Sequence, residues 1–403
     1  MNLELRSCRA DEMPDYGRIL AYVFAENDRE NIDRELDATE PGWTHCAFVD
    51  GRLVATMGVL PFTVQLNGRP ASMGGVTGVG TLPEWRRKGL LRQVMTSGLA
   101  KMRDEGQSMA ILWASMGAIY QRFGYGLAAS MVRYEFDPRY ARFEKSLPAE
   151  GRVEMVPAET ARPLLEAIYN RFIEPRNLPI HRTGFLWESA LRQKPGSPKY
   201  VAVYTTTNAG EPRGYIVYKT RDGSGLIASQ EMQVIDFIPL DTGAFRALWD
   251  YILRHDLVSK VTMGGVIPED DPAPDLLSEP RILNRRTMDA IWLRITDVAS
   301  ALAQRPYAAP GKLTFAISGD EQCPWNEGTW TLETDGPAAT VSRTTETPGL
   351  SMPINTLAGL LTGFRTASHY RRIGLLESSD PAAVDMADRL FATDYRPFTP
   401  NEF

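Results

Sequence analysis

The strongest constraint on how this chain folds is that part of it states the same plan twice. RSCRADEMPDYGRILAYVF, residues 6–24, reads as a short strand followed by a helix, and GRVEMVPAETARPLLEAIYNRF, residues 151–172, repeats that order. Beta-rich sequence follows each. In the first copy it is punctuated by Asp50-Gly51 and Asn67-Gly68, dipeptides that tolerate the positive φ a two-residue hairpin turn demands. In the second, KYVAVYTTTNAGEPRGYIVYKT, residues 199–220, carries the same hairpin plan. Each copy then turns into a further helix, so an α+β fold used in tandem is expected. The first copy continues with SMAILWAS as a buried strand, MGAIYQRF as a short helix capped by Gly124, and a strand near SMVRYEF. The charged stretch NDRENIDRELDATEPG is expected to be a connection.

The copies part company where that helix starts. In the first, VGTLPEWRRKGLLRQVM, residues 79–95, sets Arg86, Arg87 and Lys88 directly before it. A helix start carries partial positive charge on unpaired N–H groups, so cations there are unfavourable. An anion held between the cations and those N–H groups resolves the conflict, with Gly89 letting it approach the backbone. A phosphate-bearing ligand is the working hypothesis. In the second copy, Asp241, Thr242 and Gly243 stand at the equivalent place, and an Asp or Thr caps a helix in the ordinary way. That copy reads as structural.

From about Ile291 the character changes again. WLRITDVASALAQRPY reads as strand then helix, GKLTFAISGD and GTWTLETD as strands, SMPINTLAGLLTGF and PAAVDMADRLFAT as helices, and RPFTPNEF as an extended end.

A formal net charge of −6 disfavours nucleic acid as the main partner and mildly favours amines. Three cysteines, odd in number and far apart, point to a reducing compartment. The four histidines show no metal-ligand spacing, so no metal is expected. MNLELRSCRADEMPD has no apolar signal region and no apolar run is long enough to span a membrane, so a cytoplasmic protein is expected.

Two further residues carry chemistry. In ASMGAIYQRFGYG, Ile119 and Phe123 are four apart and form the buried stripe of the short helix, which turns Tyr120 away from it. Tyr120 is then either an ordinary half-buried tyrosine or a phenol able to give up a proton. The end, Asn401-Glu402-Phe403, is either frayed or, stiffened by Pro397 and Pro400, docked so that an α-carboxylate enters a site.

These residues resemble a known family. Val79 to Leu91 is similar to the acetyl-CoA motif of the GNAT N-acetyltransferases, and Tyr120 to Tyr125 to their Tyr-x-x-x-Gly-aromatic element. WRRKGLLRQVM, ILWASMGAIYQRFGYG, WLRITDV and the terminal Glu-Phe together resemble the enhanced intracellular survival (Eis) family. The resemblance implies a catalytic GNAT domain over 1–145, a GNAT-like domain without cofactor over 146–289, and a sterol-carrier-protein-like domain over 290–403, assembled as a homo-hexamer. It implies transfer of acetyl from acetyl-CoA to small-molecule amines, as members of the family do with aminoglycosides; whether this chain takes an aminoglycoside or a polyamine is set by its pocket-lining residues and does not follow from the resemblance. The backbone of Val79 and Thr81 would hold the pantetheine arm. Arg86, Arg87 and Gly89 would hold the pyrophosphate, with Leu90 and Ser115 beside the cofactor. Tyr120 would be the general acid and the Phe403 carboxylate the general base. Phe24, Glu26 and Asp28, with Glu402 as a further acid, would line an acidic substrate pocket, though the segment from Glu26 to Glu40 also reads as a solvated loop. A lipid or ligand carrier working through the third domain, or a protein lysine acetyltransferase, is the alternative expectation.

Overall fold

The computed structural model describes residues 2–145, 151–207, 210–223, 225 and 229–403. The first copy runs β1 (Leu3–Arg6), α1 (Met13–Phe24), α2 (Arg29–Asp37), β2 (Thr44–Val49), β3 (Arg52–Leu66), β4 (Arg69–Thr81), α3 (Leu90–Asp104), β5 (Met109–Trp113), α4 (Gly117–Gln121) and β6 (Gly126–Phe136). Both Asx-Gly pairs make the expected turns: Asp50, Gly51, Asn67 and Gly68 have φ of 49°, 79°, 51° and 85°. Val49 pairs with Arg52 and Leu66 with Arg69, as a two-residue loop requires.

The second copy runs β7 (Gly151–Val156), α5 (Ala158–Ile173), α6 (Gly184–Leu191), β8 (Tyr200–Thr206), β9 (Pro212–Arg221), β10 (Gln230–Pro239), α7 (Thr242–Leu253), β11 (Val258–Ile267) and α8 (Ala273–Leu276). The remainder is β12 (Arg286–Ile295), α9 (Val298–Gln304), β13 (Gly311–Ser318), β14 (Gly328–Thr334), β15 (Ala339–Arg343), β16 (Leu350–Pro353), α10 (Ile354–Leu361), α11 (Ala367–Arg372) and α12 (Pro381–Leu390).

The chain forms two compact units, residues 1–129 with 290–393 and 403, and residues 130–289 with 394–402. In the first unit the sheet order is β1-β2-β3-β4-β5-β12. α3 covers one face through Leu90, Val94, Leu99 and Met102, residues at helical spacing that pack with Met57 and Leu112. α1 covers the other face through Tyr16, Ile19 and Leu20 against Phe48 and Leu53. A smaller sheet, β15-β14-β13-β16, completes the unit with α9 to α12. In the second unit the order is β6-β11-β10-β9-β8-β7. Its two cores hold α7, around Trp249, and α5, around Tyr169.

The segment expected to be a charged connection is instead helical: α2 spans Arg29–Asp37, and the Asp28 side chain accepts from the N–H of Glu30. It buries no residue fully, so only Ile32 and Leu36, one turn apart, mark a packed face. Leu36 fills the space over Gly17 of α1, where a Cβ would lie 2.7 Å from its Cδ1.

Candidate active site

A cleft opens where β4 and β5 separate. They pair in parallel at Gly74 with Ala110 and at Gly75 with Ile111, and among the described residues their register extends no further, although β4 runs on to Thr81. A strand edge left in this way presents N–H and C=O groups to an extended ligand. The same stretch is bulged: the β3–β4 register shifts between Thr56 and Gly58, and Gly78 adopts φ of 59°. A Cβ on Gly78 would lie 2.5 Å from the Tyr16 hydroxyl, so the missing side chain lets α1 close on the bulge. The cleft measures about 630 Å³ and is lined by Val79 and Thr81 of β4, by Arg86, Arg87, Gly89 and Leu90, and by Ser115 and Tyr120.

α3 begins without a side-chain cap. α1, α4, α5, α6, α8 and α10 lack one as well, without a cluster of cations before them, whereas α2, α7, α9, α11 and α12 begin with Asp28, Asp241, Asp297, Thr366 and Asp380, whose side chains accept from the helix N–H groups. Gly89 has φ of 79°, and a Cβ there would meet nothing within 4 Å, so ligand space adjoins the backbone. Arg87 is also left-handed at φ 62°, while Arg86 is extended. Such alternation directs successive N–H groups into a concavity suited to an anion. The residues therefore fit a phosphate group. The three cations are not equivalent. Arg86 donates from Nε to the Thr81 carbonyl at 3.1 Å, and Lys88 lies with Nζ 4.4 Å from the centre of the Trp85 ring.

Tyr120 departs from the sequence expectation. It is 6 % exposed, more deeply buried than its neighbour Ile119, so α4 presents it to the core rather than turning it away. Burial pushes the phenol up to about 12, which keeps its proton in place at neutral pH. Its ring meets Tyr125 edge-on, at 5.8 Å and 71°. Between them Gly124 is left-handed at φ 82°, with a Cβ position 2.9 Å from both the Arg294 guanidinium and Ile354. Arg294, on β12, is wholly buried and donates to Asp320 at 2.5 Å. Asp320 accepts in addition from the Cys323 N–H at 3.1 Å and from Asn326 Nδ2 at 3.1 Å. The C-terminal third thus props up the turn that holds Tyr120.

Of the residues expected on the substrate side, one lines this cleft. Phe24, 52 % exposed at the end of α1, lines the cleft. Glu26 is not among the lining residues. Its carboxylate accepts from the Asp28 N–H at 2.7 Å and from Asn31 at 3.2 Å, bonds that hold it below the usual carboxylate range and tie down the start of α2. Glu402 belongs to the second unit, where it lines a different pocket of about 570 Å³. Phe403 belongs to the first unit. Its ring meets Phe62 of β3 edge-on, at 4.9 Å and 72°, over Gly75 of β4. A Cβ on Gly75 would stand 2.3 Å from Phe62 and 3.1 Å from Phe403, so glycine at this place makes room for both rings.

Met116 and Arg122 also line the cleft and were not singled out from sequence. Their one signal was proximity to Tyr120. Among the described residues no three His, Cys, Asp or Glu side chains gather as a metal site would need, and no helix is long and apolar enough to cross a membrane.

Comparison with known proteins follows the same three-part order. The family model for an acetyltransferase (GNAT) domain matches residues 4–128, a second acetyltransferase (GNAT) domain model matches 178–295, and a sterol carrier protein domain model matches 298–400. An uncharacterized N-acetyltransferase of Streptomyces avermitilis is 30% identical over 422 aligned residues, covering 100% of both chains. N-acetyltransferase Eis of Mycobacterium tuberculosis is 28% identical over 342 residues, covering 82% of this chain and 80% of that one. The crystal structure of Eis1 from Mycobacterium abscessus superposes with a TM-score of 0.85 at 27% identity, over 99% of this chain and 100% of that one. With two GNAT domains, a sterol carrier domain and relatives aligned along its whole length, the chain belongs to the Eis family of GNAT N-acetyltransferases.

Proposed function

We propose that this N-acetyltransferase moves acetyl from acetyl-CoA to the amino group of a small-molecule acceptor, with Tyr120 as acid and the Phe403 α-carboxylate as base. The observation that carries the reading is the uncapped start of α3, set with Arg86, Arg87 and Gly89 in the cleft that also holds Tyr120. Anionic groups of the donor take the place of the missing cap, and the free edge of β4 at Val79 and Thr81 receives the extended arm, with Leu90 and Ser115 alongside.

An ammonium has no lone pair, so the acceptor must lose a proton before it attacks. The Phe403 carboxylate takes that proton, directly or through water. Enclosure helps, because desolvation lowers the ammonium's pKa and raises the carboxylate's. As the nitrogen bonds to the thioester carbon, the carbon–sulfur bond breaks and its electron pair goes to sulfur. Tyr120 donates a hydrogen bond to that sulfur and then the proton, and the second proton of the acylated nitrogen passes, directly or through water, to the phenolate so formed, which restores Tyr120. A thiol ordinarily titrates at about 8.5, below the value of about 12 to which burial pushes Tyr120. Transfer from the phenol alone is therefore uphill, so its hydrogen bond carries the stabilisation of the charge on sulfur, and the proton moves as the acylated nitrogen gives up its own.

Aminoglycosides and polyamines are the acceptor classes to try first, with Phe24, Glu26 and Glu402 as candidate contacts. The test is release of free thiol from acetyl-CoA by protein ending at Phe403, offered an aminoglycoside, spermidine, a simple primary amine and a lysine peptide. Tyr120→Phe should lower turnover by on the order of 100-fold or more while leaving acetyl-CoA affinity unchanged. Absence of acetyl-CoA binding would overturn the proposal. A homo-hexamer is the proposed assembly, checked by light scattering. The cytoplasm is the proposed location, which localisation of the tagged protein would decide.

A further inference from the structure

Residues 394–402 belong to the second unit, and they are fastened there almost residue by residue. The Tyr395 ring lies 4.4 Å from the Arg176 guanidinium, which also stacks over Phe172 at 3.9 Å. The Arg396 N–H donates to Asp270 at 3.0 Å, and the Phe398 N–H to the Asn177 carbonyl at 2.9 Å. Phe398, Thr399 and Asn401 are all buried.

Asn401 is held at both ends of its amide. Its Oδ1 accepts from Arg182 Nε at 2.7 Å, and its Nδ2 donates to the Tyr169 hydroxyl at 2.9 Å. That hydroxyl in turn donates to the Ile180 carbonyl at 2.8 Å. Arg182 is itself immobilised. It pairs with buried Asp236 at 2.5 Å and packs against the rings of Tyr169, at 4.1 Å, and Trp187, at 4.8 Å. Tyr215 donates to the same Asp236 oxygen at 2.8 Å.

Chain ends ordinarily fray. Burying an amide and an ion pair is also a costly way to fasten one, since an apolar side chain would hold a tail with less desolvation. A polar lock gives direction instead: its bonds are met in one arrangement, so it sets where the backbone leaves Asn401. Two residues further on, within roughly 7 Å of chain, comes the Phe403 carboxylate.

We infer that Asn401, with Arg182 and Asp236 behind it, is a positioning residue that aims the Phe403 carboxylate; this rests on the reading of Phe403 as the base. Asn401 acts through the tail and touches no reacting atom. Three proteins test it: the chain ending at Phe403, the same chain with three alanines appended, and Asn401→Ala. Each is assayed from pH 6.5 to 9.5 with acetyl-CoA and the amine of highest turnover among those named above.

With the base misplaced, reaction must wait for acceptor that has lost its proton in bulk solution. Asn401→Ala should therefore lose tenfold or more in kcat/KM for the amine at pH 7, keep its KM for acetyl-CoA, and recover to within threefold by pH 9.5. Carboxypeptidase should release Phe403 from it at least tenfold faster. The extended chain should show the same pH signature. If extension impairs the enzyme in this way but Asn401→Ala keeps the wild-type profile, the positioning role is wrong and the base survives. An Asn401→Ala loss that is equal at every pH reports a merely structural role and overturns the inference as well. If the extended chain is fully active, the base assignment itself fails and the inference with it.

Discussion

Replacing Asp320 with alanine should be among the most damaging single changes available in the first unit. Arg294 is 0 % exposed, and its Nε and Nη1 are already buried without a hydrogen-bond partner among the described residues. Removing Asp320 leaves that cation with no opposite charge, at a cost of about 3–5 kcal/mol. The Cys323 N–H and Asn326 Nδ2 lose an acceptor too, each worth on the order of 1 kcal/mol. A total of about 5–7 kcal/mol, at about 2–4 °C per kcal/mol for a unit above 200 residues, lowers the melting midpoint by roughly 10–28 °C. Thermal melts followed by far-UV circular dichroism measure this directly. Arg294→Met combined with Asp320→Leu removes both charges, and should return to within about 2 kcal/mol of wild type. Turnover of Asp320→Ala below its melting point should also fall, because Arg294 packs against Gly124 beside Tyr120 and Tyr125. An Asp320→Ala melt within about 3 °C of wild type would show that the pair is not a buried prop, and would remove this account of how α4 is held.

Acid should weaken the protein through His45. Burial, helped by the nearby Lys101 charge, pushes this imidazole down to about 4, whereas the unfolded chain takes up a proton near 6.5. The unfolded state thus binds more protons between those values, so His45's contribution is complete above pH 6.5 and is lost as pH falls towards 4. About 2 kcal/mol should be gone at pH 5, read as a fall in urea midpoint that His45→Phe flattens. Gly89→Ala places a side chain at φ 79°, at a backbone cost of about 1–2 kcal/mol if the conformation persists. Its KM for acetyl-CoA should rise at least fivefold with little change in kcat; an unchanged KM would take Gly89 out of the donor site. Arg87→Ala should raise the same KM about tenfold by removing a charge-assisted contact. Raised salt should blunt that effect.

Much of the architecture was legible because it rests on local rules. The Asx-Gly turns, the Asp241 cap and the long apolar stripe of α3 are each decided by residues within a few positions of one another. α2 was not legible in the same way, since its sequence is polar nearly throughout and its helical state depends on Asp28 and on Leu36 meeting Gly17. Tyr120 was misplaced for a related reason. Helical spacing gave Ile119 and Phe123 as the buried stripe, but α4 is only five residues long, ends before Phe123, and leaves Tyr120 packed against Tyr125 of the turn that follows. Strand grouping was the least legible feature. β6 closes the first copy in sequence, yet Val132 to Phe136 pair with Ile267 to Val261 of β11 in the second unit, while Ile291 to Ile295 of β12 pair with β5 of the first. Those pairings join residues more than a hundred positions apart, and no local pattern encodes them.

The contrast between the two copies explains why one of them is suited to a ligand. α7 begins with its own anion: Asp241 Oδ1 accepts from the Ala244 N–H at 2.8 Å, and its other oxygen accepts from Arg213 at 2.8 Å. A carboxylate thus stands where an incoming phosphate would need to be, already neutralised by a cation from β9. α3 has the cations without the carboxylate. It forgoes the roughly 1 kcal/mol a cap contributes, and it sets cations beside the positive end of the helix. On the function proposed above, both deficits would vanish together when the donor's phosphates bind, so part of its affinity would come from stability that the free protein lacks. Capping α3 with its own aspartate would make the first copy more stable alone and worse at holding acetyl-CoA, the state in which the second copy already stands.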